Sequence, residues 1–161
     1  MKGVILAAGY GTRLLPVTKT VPKELLPLVD TPAIHWVVDE FLRSGVKEIL
    51  IVTNRRKKAL EDYFDREVEL EMHFSVKRRK ALLDKLELPD AAITFVRQKE
   101  MLGTGHALLC CESFVRKDPF VVAHPDDVLL SQYPLTKSLI QAHKKKEKTV
   151  LSLFECEDFE L

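Results

Sequence analysis

The residues best suited to chemistry gather at the ends of apolar runs. Val4-Ile5-Leu6-Ala7-Ala8 leads into Gly9-Tyr10-Gly11-Thr12-Arg13. Glycines after a buried strand let the backbone turn tightly and approach a ligand. Successive N–H groups in such a turn form a nest for phosphate oxygens. Arg13 closes the turn, and Lys23 follows in Pro22-Lys23-Glu24-Leu25-Leu26-Pro27. A planar fork and a mobile point charge beside one glycine turn suit a triphosphate. Asp126 and Asp127 follow Phe120-Val121-Val122-Ala123 and His124-Pro125. Carboxylates after a strand are hard oxygen ligands of the kind magnesium takes. Plainer readings stand beside each: a simple tight turn, solvated surface charges, and a pair of capping or turn aspartates. The Walker pattern is absent, and Leu14 stands where the dinucleotide fingerprint needs a third small residue.

These residues need a scaffold that brings strand ends together. The first apolar run predicts a strand buried on both faces. Residues 32–44 predict a helix, with Thr31 as cap, Pro32 at the first turn and Ile34, Val37, Val38, Phe41 and Leu42 on one apolar face. Strands are expected at 48–53, 93–96, 120–123 and 149–154, and helices at 57–64, 103–110 and 134–147. The charged stretch 67–88 reads as surface helix and loop. The β-α-β-α order predicts an α/β fold, a Rossmann-like, mostly parallel sheet with helices on both faces. Trp36 reads as core. The basic run Lys144-Lys145-Lys146 reads as a solvated helix end, where positive charge complements the dipole.

With 161 residues, the chain predicts about one domain. Lys plus Arg number 25 against 24 for Asp plus Glu, so the balance argues against a general nucleic-acid binder. No apolar run approaches the ~18 residues of a membrane span, and the amino-terminal run is too short for a secretory signal. Cys110, Cys111 and Cys156 show no metal-site spacing and read as buried or idle thiols in a reducing cytoplasm.

Taken together, Leu6-Ala7-Ala8-Gly9-Tyr10-Gly11-Thr12-Arg13-Leu14-Leu15-Pro16, Lys19 and Pro22-Lys23-Glu24-Leu25-Leu26-Pro27 resemble the signature of the sugar-nucleotide pyrophosphorylases, a nucleotidyltransferase family. Strand 49–53, Tyr63 to Glu71, Val96-Arg97-Gln98-Lys99-Glu100 and Leu102-Gly103-Thr104-Gly105-His106-Ala107 are similar to its bacterial UTP–glucose-1-phosphate uridylyltransferase branch. The resemblance implies roles. Ala8, Gly9, Gly11 and Thr12 would hold the nucleoside and phosphates. Arg13 would clamp the β and γ phosphates, and Lys23 would steady the α-phosphate. Gln98 would meet the uracil edge, as an amide can both donate and accept. Gly103 would offer backbone to the same base. His106 would sit on the substrate side in a supporting role, and Asp126 would bind Mg²⁺. His124-Pro125 replaces a more usual Leu-Gly before that aspartate.

The reaction so implied joins UTP and glucose 1-phosphate into UDP-glucose and pyrophosphate, with no membrane or nucleic-acid partner. The resemblance further implies that residues 1–161 are the nucleotide-binding part of a longer domain, with the sugar-binding part absent. The alternatives are a non-catalytic UTP or UDP-sugar binding module, or a fragment inactive without its other half. A sheet lacking its last strands would expose an edge, so a homo-oligomer is expected.

Overall fold

The computed structural model describes residues 1–153. Four strands form its central sheet: β1 (Lys2–Leu6), β4 (Glu48–Thr53), β5 (Ala92–Arg97) and β6 (Phe120–Ala123). Their order is β5-β4-β1-β6, and all three pairings are parallel. A separate antiparallel ribbon joins β2 (Pro27–Leu28) to β3 (Thr31–Pro32). The helices are α1 (Ala33–Arg43), α2 (Lys58–Tyr63), α3 (Val68–Val76), α4 (Lys80–Leu83), α5 (Gly103–Leu109), α6 (Glu112–Val115) and α7 (Leu135–Lys146).

Strand periodicity explains the layering. Ile5 and Ala7 after it, with Ile49 and Ile51, face a core built with Ile34, Val37, Val38 and Phe41 of α1. Val4, Leu6, Leu50 and Val52 point the other way, onto Ala107 of α5, Cys111 and Val115 of α6. Helices therefore cover both faces, as the unbroken apolar runs of β1 and β4 require. Gly3 is fixed by packing: a Cβ there would lie 2.5 Å from the Phe41 ring.

The expected strands at 48–53, 93–96 and 120–123 and the helices of the crossovers are all present. Four details differ. Thr31 does not cap α1; it pairs with Leu28 in the ribbon, and Pro32 stands at the cap position without a side-chain bond. The ribbon itself had no period long enough to read. Residues 149–153 form no strand, because none of them enters the ladder beside β6; Phe154 lies outside the described residues. Trp36 is half-buried rather than core, with its indole Nε1 shielded from water and unpaired among the described residues. Cys111 is buried and Cys110 half-buried, both as free thiols, and Cys156 lies outside the described residues. Lys144, Lys145 and Lys146 occupy the exposed last turn of α7. No helix among the described residues is long and apolar enough to cross a membrane.

The order β5-β4-β1-β6 places a reversal at β1. The chain runs from β1 outward to β4 and β5, then returns to β6 on the other side. In open α/β sheets, the crevice at such a switch point, beyond the carboxyl ends of the strands, is where ligands bind. The loops after all four strands meet there.

Candidate functional site

The loop after β1 is held from beneath by the loop after β4. Asn54 Nδ2 donates to the Ala8 carbonyl at 2.5 Å. Lys57 Nζ donates to the Ala7 carbonyl at 2.7 Å. With these carbonyls tied down, the amides beyond them are left over. Among the described residues, the N–H groups of Gly9, Tyr10 and Gly11 make no hydrogen bond. Gly11 adopts φ +70°, the left-handed region that favours glycine. A Cβ at Gly11 would meet Thr18 at 3.1 Å and the Lys23 stem at 3.4 Å. The turn is thus packed directly against the segment that carries Lys23. Thr18 Oγ1 donates to the Gly11 carbonyl at 2.7 Å and fixes the closure.

Lys23 opens a single 3₁₀ turn, Lys23–Leu25, which sends successive side chains to opposite fates. Lys23 reaches Asp126 beyond β6, with Nζ 2.5 Å from Oδ2. Their side chains are 21% and 53% exposed, so this pair lies at the crevice surface. Partial burial pushes the Asp126 carboxyl up, but the hydrogen bond and charge of Lys23 outweigh it and hold the group below its ordinary value. Asp126 is therefore ionised at neutral pH.

Glu24, the next residue, points inward and is buried. It accepts two bonds from Lys57 Nζ, at 2.6 and 2.8 Å. Burial pulls the Lys57 ammonium below its usual range despite the attraction of Glu24. Lys57 thus joins three segments: the end of β1 through Ala7, the Lys23 turn through Glu24, and the loop after β4. The sequence reading missed Glu24, Asn54, Lys57 and Thr18. Only Asn54, a polar residue closing an apolar run, carried a local signal.

On the other side, Gln98 closes β5 and is only 4% exposed. Its Nε2 donates to the Gly103 carbonyl at 3.1 Å and lies 3.0 Å from His106 Nδ1. A carbonyl can only accept, so the amide nitrogen must face Gly103. That nitrogen has no lone pair to offer, so His106 Nδ1 accepts its second hydrogen. Both donors are consumed, and Oε1 is what the side chain retains for a ligand. Gly103, at φ +84°, begins α5.

A cleft of about 640 Å³ lies between these walls, lined by Tyr10, Thr12, Leu15 and Thr18 on one side and by Asn54, Arg55, Arg56, Arg97, Gln98 and Lys99 on the other. Its size is that of a small-molecule site. The structure brings Gln98, Gly103 and His106 into one cluster, Lys23 and Asp126 into another, and seats Lys23 against Gly11. Arg13 stands apart: it is exposed and makes no hydrogen bond or ion pair among the described residues. Asp127 is exposed, its amide closing a turn onto the His124 carbonyl at 3.2 Å.

Among the described residues, no three His, Cys, Asp or Glu side chains converge to cage a metal. Magnesium nonetheless binds through one or two carboxylates when phosphates supply further oxygens. The ionised Asp126, joined through Lys23 to the glycine turn, fits that donor set.

Comparison with known proteins decides the family. The nucleotidyl transferase family model matches residues 2–158. The chain belongs to the nucleotidyl transferase family. UTP–glucose-1-phosphate uridylyltransferase 2 of Staphylococcus saprophyticus is 43% identical over 159 residues, 98% of this chain and 55% of that protein. The UTP–glucose-1-phosphate uridylyltransferase YngB of Bacillus subtilis is 46% identical over 144 residues, 88% of this chain and 48% of its own. The fold is that of a UTP-bound UGPase from Acinetobacter baumannii, with TM-score 0.85 and 36% identity over 91% of this chain and 53% of the other. The family chain described here thus spans about half the length of the curated relatives it matches.

Proposed function

We propose that this chain supplies the nucleotide-binding half of a uridylyltransferase, which joins UTP and glucose 1-phosphate into UDP-glucose and pyrophosphate. The observation that carries the reading is the Lys23–Asp126 pair packed against the Gly11 turn, whose neighbours Tyr10 and Thr12 line a cleft with Gln98 on its other wall. The names of the relatives supply the substrates.

In this reading the free amides of Gly9, Tyr10 and Gly11 receive phosphate oxygens, with Thr12 beside them. Arg13, exposed and uncommitted, closes on the β and γ phosphates. Gln98 Oε1 accepts the N3–H of uracil, and Gly103 backbone lies next to the same base. Cytosine presents an acceptor at that position and would be refused. His106 positions the Gln98 amide rather than moving a proton.

A phosphate oxygen of glucose 1-phosphate attacks the α-phosphorus of UTP. The bond to the bridging oxygen breaks, and pyrophosphate leaves. The attacking oxygen is already anionic, so no general base is needed. Lys23 neutralises charge developing on the α-phosphate, an electrostatic role suited to a fixed cation at a crevice edge. Asp126 would hold Mg²⁺, which when bound supplies charge neutralisation and alignment of the phosphates. Most of the rate then comes from positioning. A cytoplasmic setting and self-association belong to the same reading.

The glycine turn and Gln98 serve equally a second reading, a module that binds UTP without turnover. Pyrophosphate release from UTP plus glucose 1-phosphate separates the two. Lys23→Ala is expected to reduce turnover far more than UTP binding. Equal loss of both would favour the binding module.

A further inference from the structure

The charged side chains that line the cleft are all cationic: Arg55, Arg56, Arg97 and Lys99. The whole chain is nearly neutral, with 25 basic against 24 acidic residues, so this wall concentrates one sign of charge. Arg97 is offset by Glu61, whose Oε1 lies 3.3 Å from its guanidinium. Arg55, Arg56 and Lys99 have no ion-pair partner among the described residues. Like charges along a cleft focus the field on a ligand of the opposite sign.

Arg56 differs from its neighbours in being held in place. Its backbone N–H donates to Asn54 Oδ1 at 2.8 Å. The other end of the same amide, Nδ2, donates to the Ala8 carbonyl. One buried side chain therefore ties Arg56 to the glycine turn. The Arg56 guanidinium donates to the Lys19 carbonyl at 3.3 Å, in the segment between that turn and Lys23. Its remaining donors make no hydrogen bond among the described residues. Arg56 also borders a small recess behind the cleft, shared with Tyr10, Thr18 and Lys57. Arg13, outside the cleft lining, must close to reach a ligand; Arg56 already borders it. A planar guanidinium takes phosphate oxygens in pairs, as an ammonium does not.

We propose that Arg56 is a further phosphate-binding residue of this cleft, gripping the polyphosphate chain of the nucleotide while Gln98 holds the base. Arg55 and Lys99 add charge at the rim without a fixed geometry. The assignment rests on the nucleotide reading given above, and adds to it a residue outside the glycine turn and the Lys23 segment.

Calorimetric titration of the full chain with UTP, uridine and inorganic tripolyphosphate tests it. Arg56→Met keeps the stem and removes the fork. It is expected to weaken UTP and tripolyphosphate by about tenfold or more, the worth of a charge-assisted hydrogen bond, and to leave uridine unchanged. Arg56→Lys keeps the charge without the fork and should recover only part of the loss. Arg55→Met should cost less UTP affinity than Arg56→Met. Arg56 is exposed, so circular dichroism and Tm should match wild type. If Arg56→Met does not fold, Arg56→Lys carries the comparison, and full UTP affinity in it overturns the proposal. UTP affinity unchanged in Arg56→Met, or a loss shared equally by uridine, overturns the proposal and leaves the nucleotide reading standing. Tripolyphosphate bound through Arg56 with no uridine nucleotide bound would refute the nucleotide reading and keep the anion site. A wild type that binds none of the three overturns both.

Discussion

Lys23 Nζ and Asp126 Oδ2 meet at 2.5 Å across 103 residues of chain. The contact joins the loop after β1 to the loop after β6, the two sides of the crevice where the sheet reverses direction. Lys23→Met removes both the hydrogen bond and the charge that lower the Asp126 pKa, leaving the upward push of partial burial. The Asp126 pKa should therefore rise. With Lys23 present, the folded chain keeps this carboxylate ionised to lower pH than the unfolded chain does. Its contribution to stability is complete at neutral pH and is lost as pH falls through the lowered pKa. A carboxyl-carbon NMR titration of the two proteins reads the shift directly, and an unmoved Asp126 would refute it.

The Glu24–Lys57 pair should behave differently, because it is buried. Glu24→Gln leaves Lys57 with an uncompensated charge, and Lys57→Met leaves Glu24 likewise and strips a donor from Ala7. Each is expected to cost about 3–5 kcal/mol in urea unfolding, and the double substitution less than the sum. Additive losses would mean the two groups do not depend on each other.

How far the sequence foretold this site follows from the range of its signals. Apolar runs of four to six residues specify strands, buried on both faces in β1 and β4 and partly exposed in the edge strands β5 and β6, so all four were legible, as were the residues punctuating their ends. Gly11, Lys23, Gln98 and Asp126 fall at those ends. The brace beneath them was not legible. Glu24 and Lys57 are 33 residues apart, and each alone reads as a surface charge. Gln98 itself reads as an exposed strand end; only the fold encloses it with His106. The strand expected at 149–154 has β-like composition, but composition does not dock it: residues 149–153 stay out of the ladder although β6 is an edge strand, and Phe154 lies outside the described residues.

Gln98 sets a prediction about bases. With Oε1 as its remaining group, the wild type should prefer UTP to CTP. Gln98→Leu should reduce that preference by about 1–2 kcal/mol, the worth of a buried hydrogen bond and the mismatch it penalises. His106→Ala frees one amide hydrogen, so CTP should gain relative to UTP. Calorimetric titration of both nucleotides checks the pair. A preference unchanged in Gln98→Leu would place base recognition elsewhere.

Cys111, packed between the sheet and α6, donates to the Ala107 carbonyl at 3.3 Å. Burial, with Cys110 adjacent, pushes its thiol up to about 11. The folded state holds this proton to higher pH than the unfolded chain, so the contribution is complete below the ordinary thiol pKa of about 8.5 and lost as pH rises toward the folded value. Between pH 8 and 10.5, wild type should lose about 2 kcal/mol more stability than Cys111→Ala. Urea midpoints at both pH values measure this, and equal losses would contradict it.

The most direct test of the nucleotide site is an amide NMR titration of the labelled chain with UTP and magnesium. The backbone amides of Gly9, Tyr10 and Gly11, together with the Gln98 side-chain amide, should shift in a saturable way. If those signals stay fixed while UTP is present in excess, or move only where the nucleotide reaches the surface far from β1, the crevice is not where this chain meets its nucleotide.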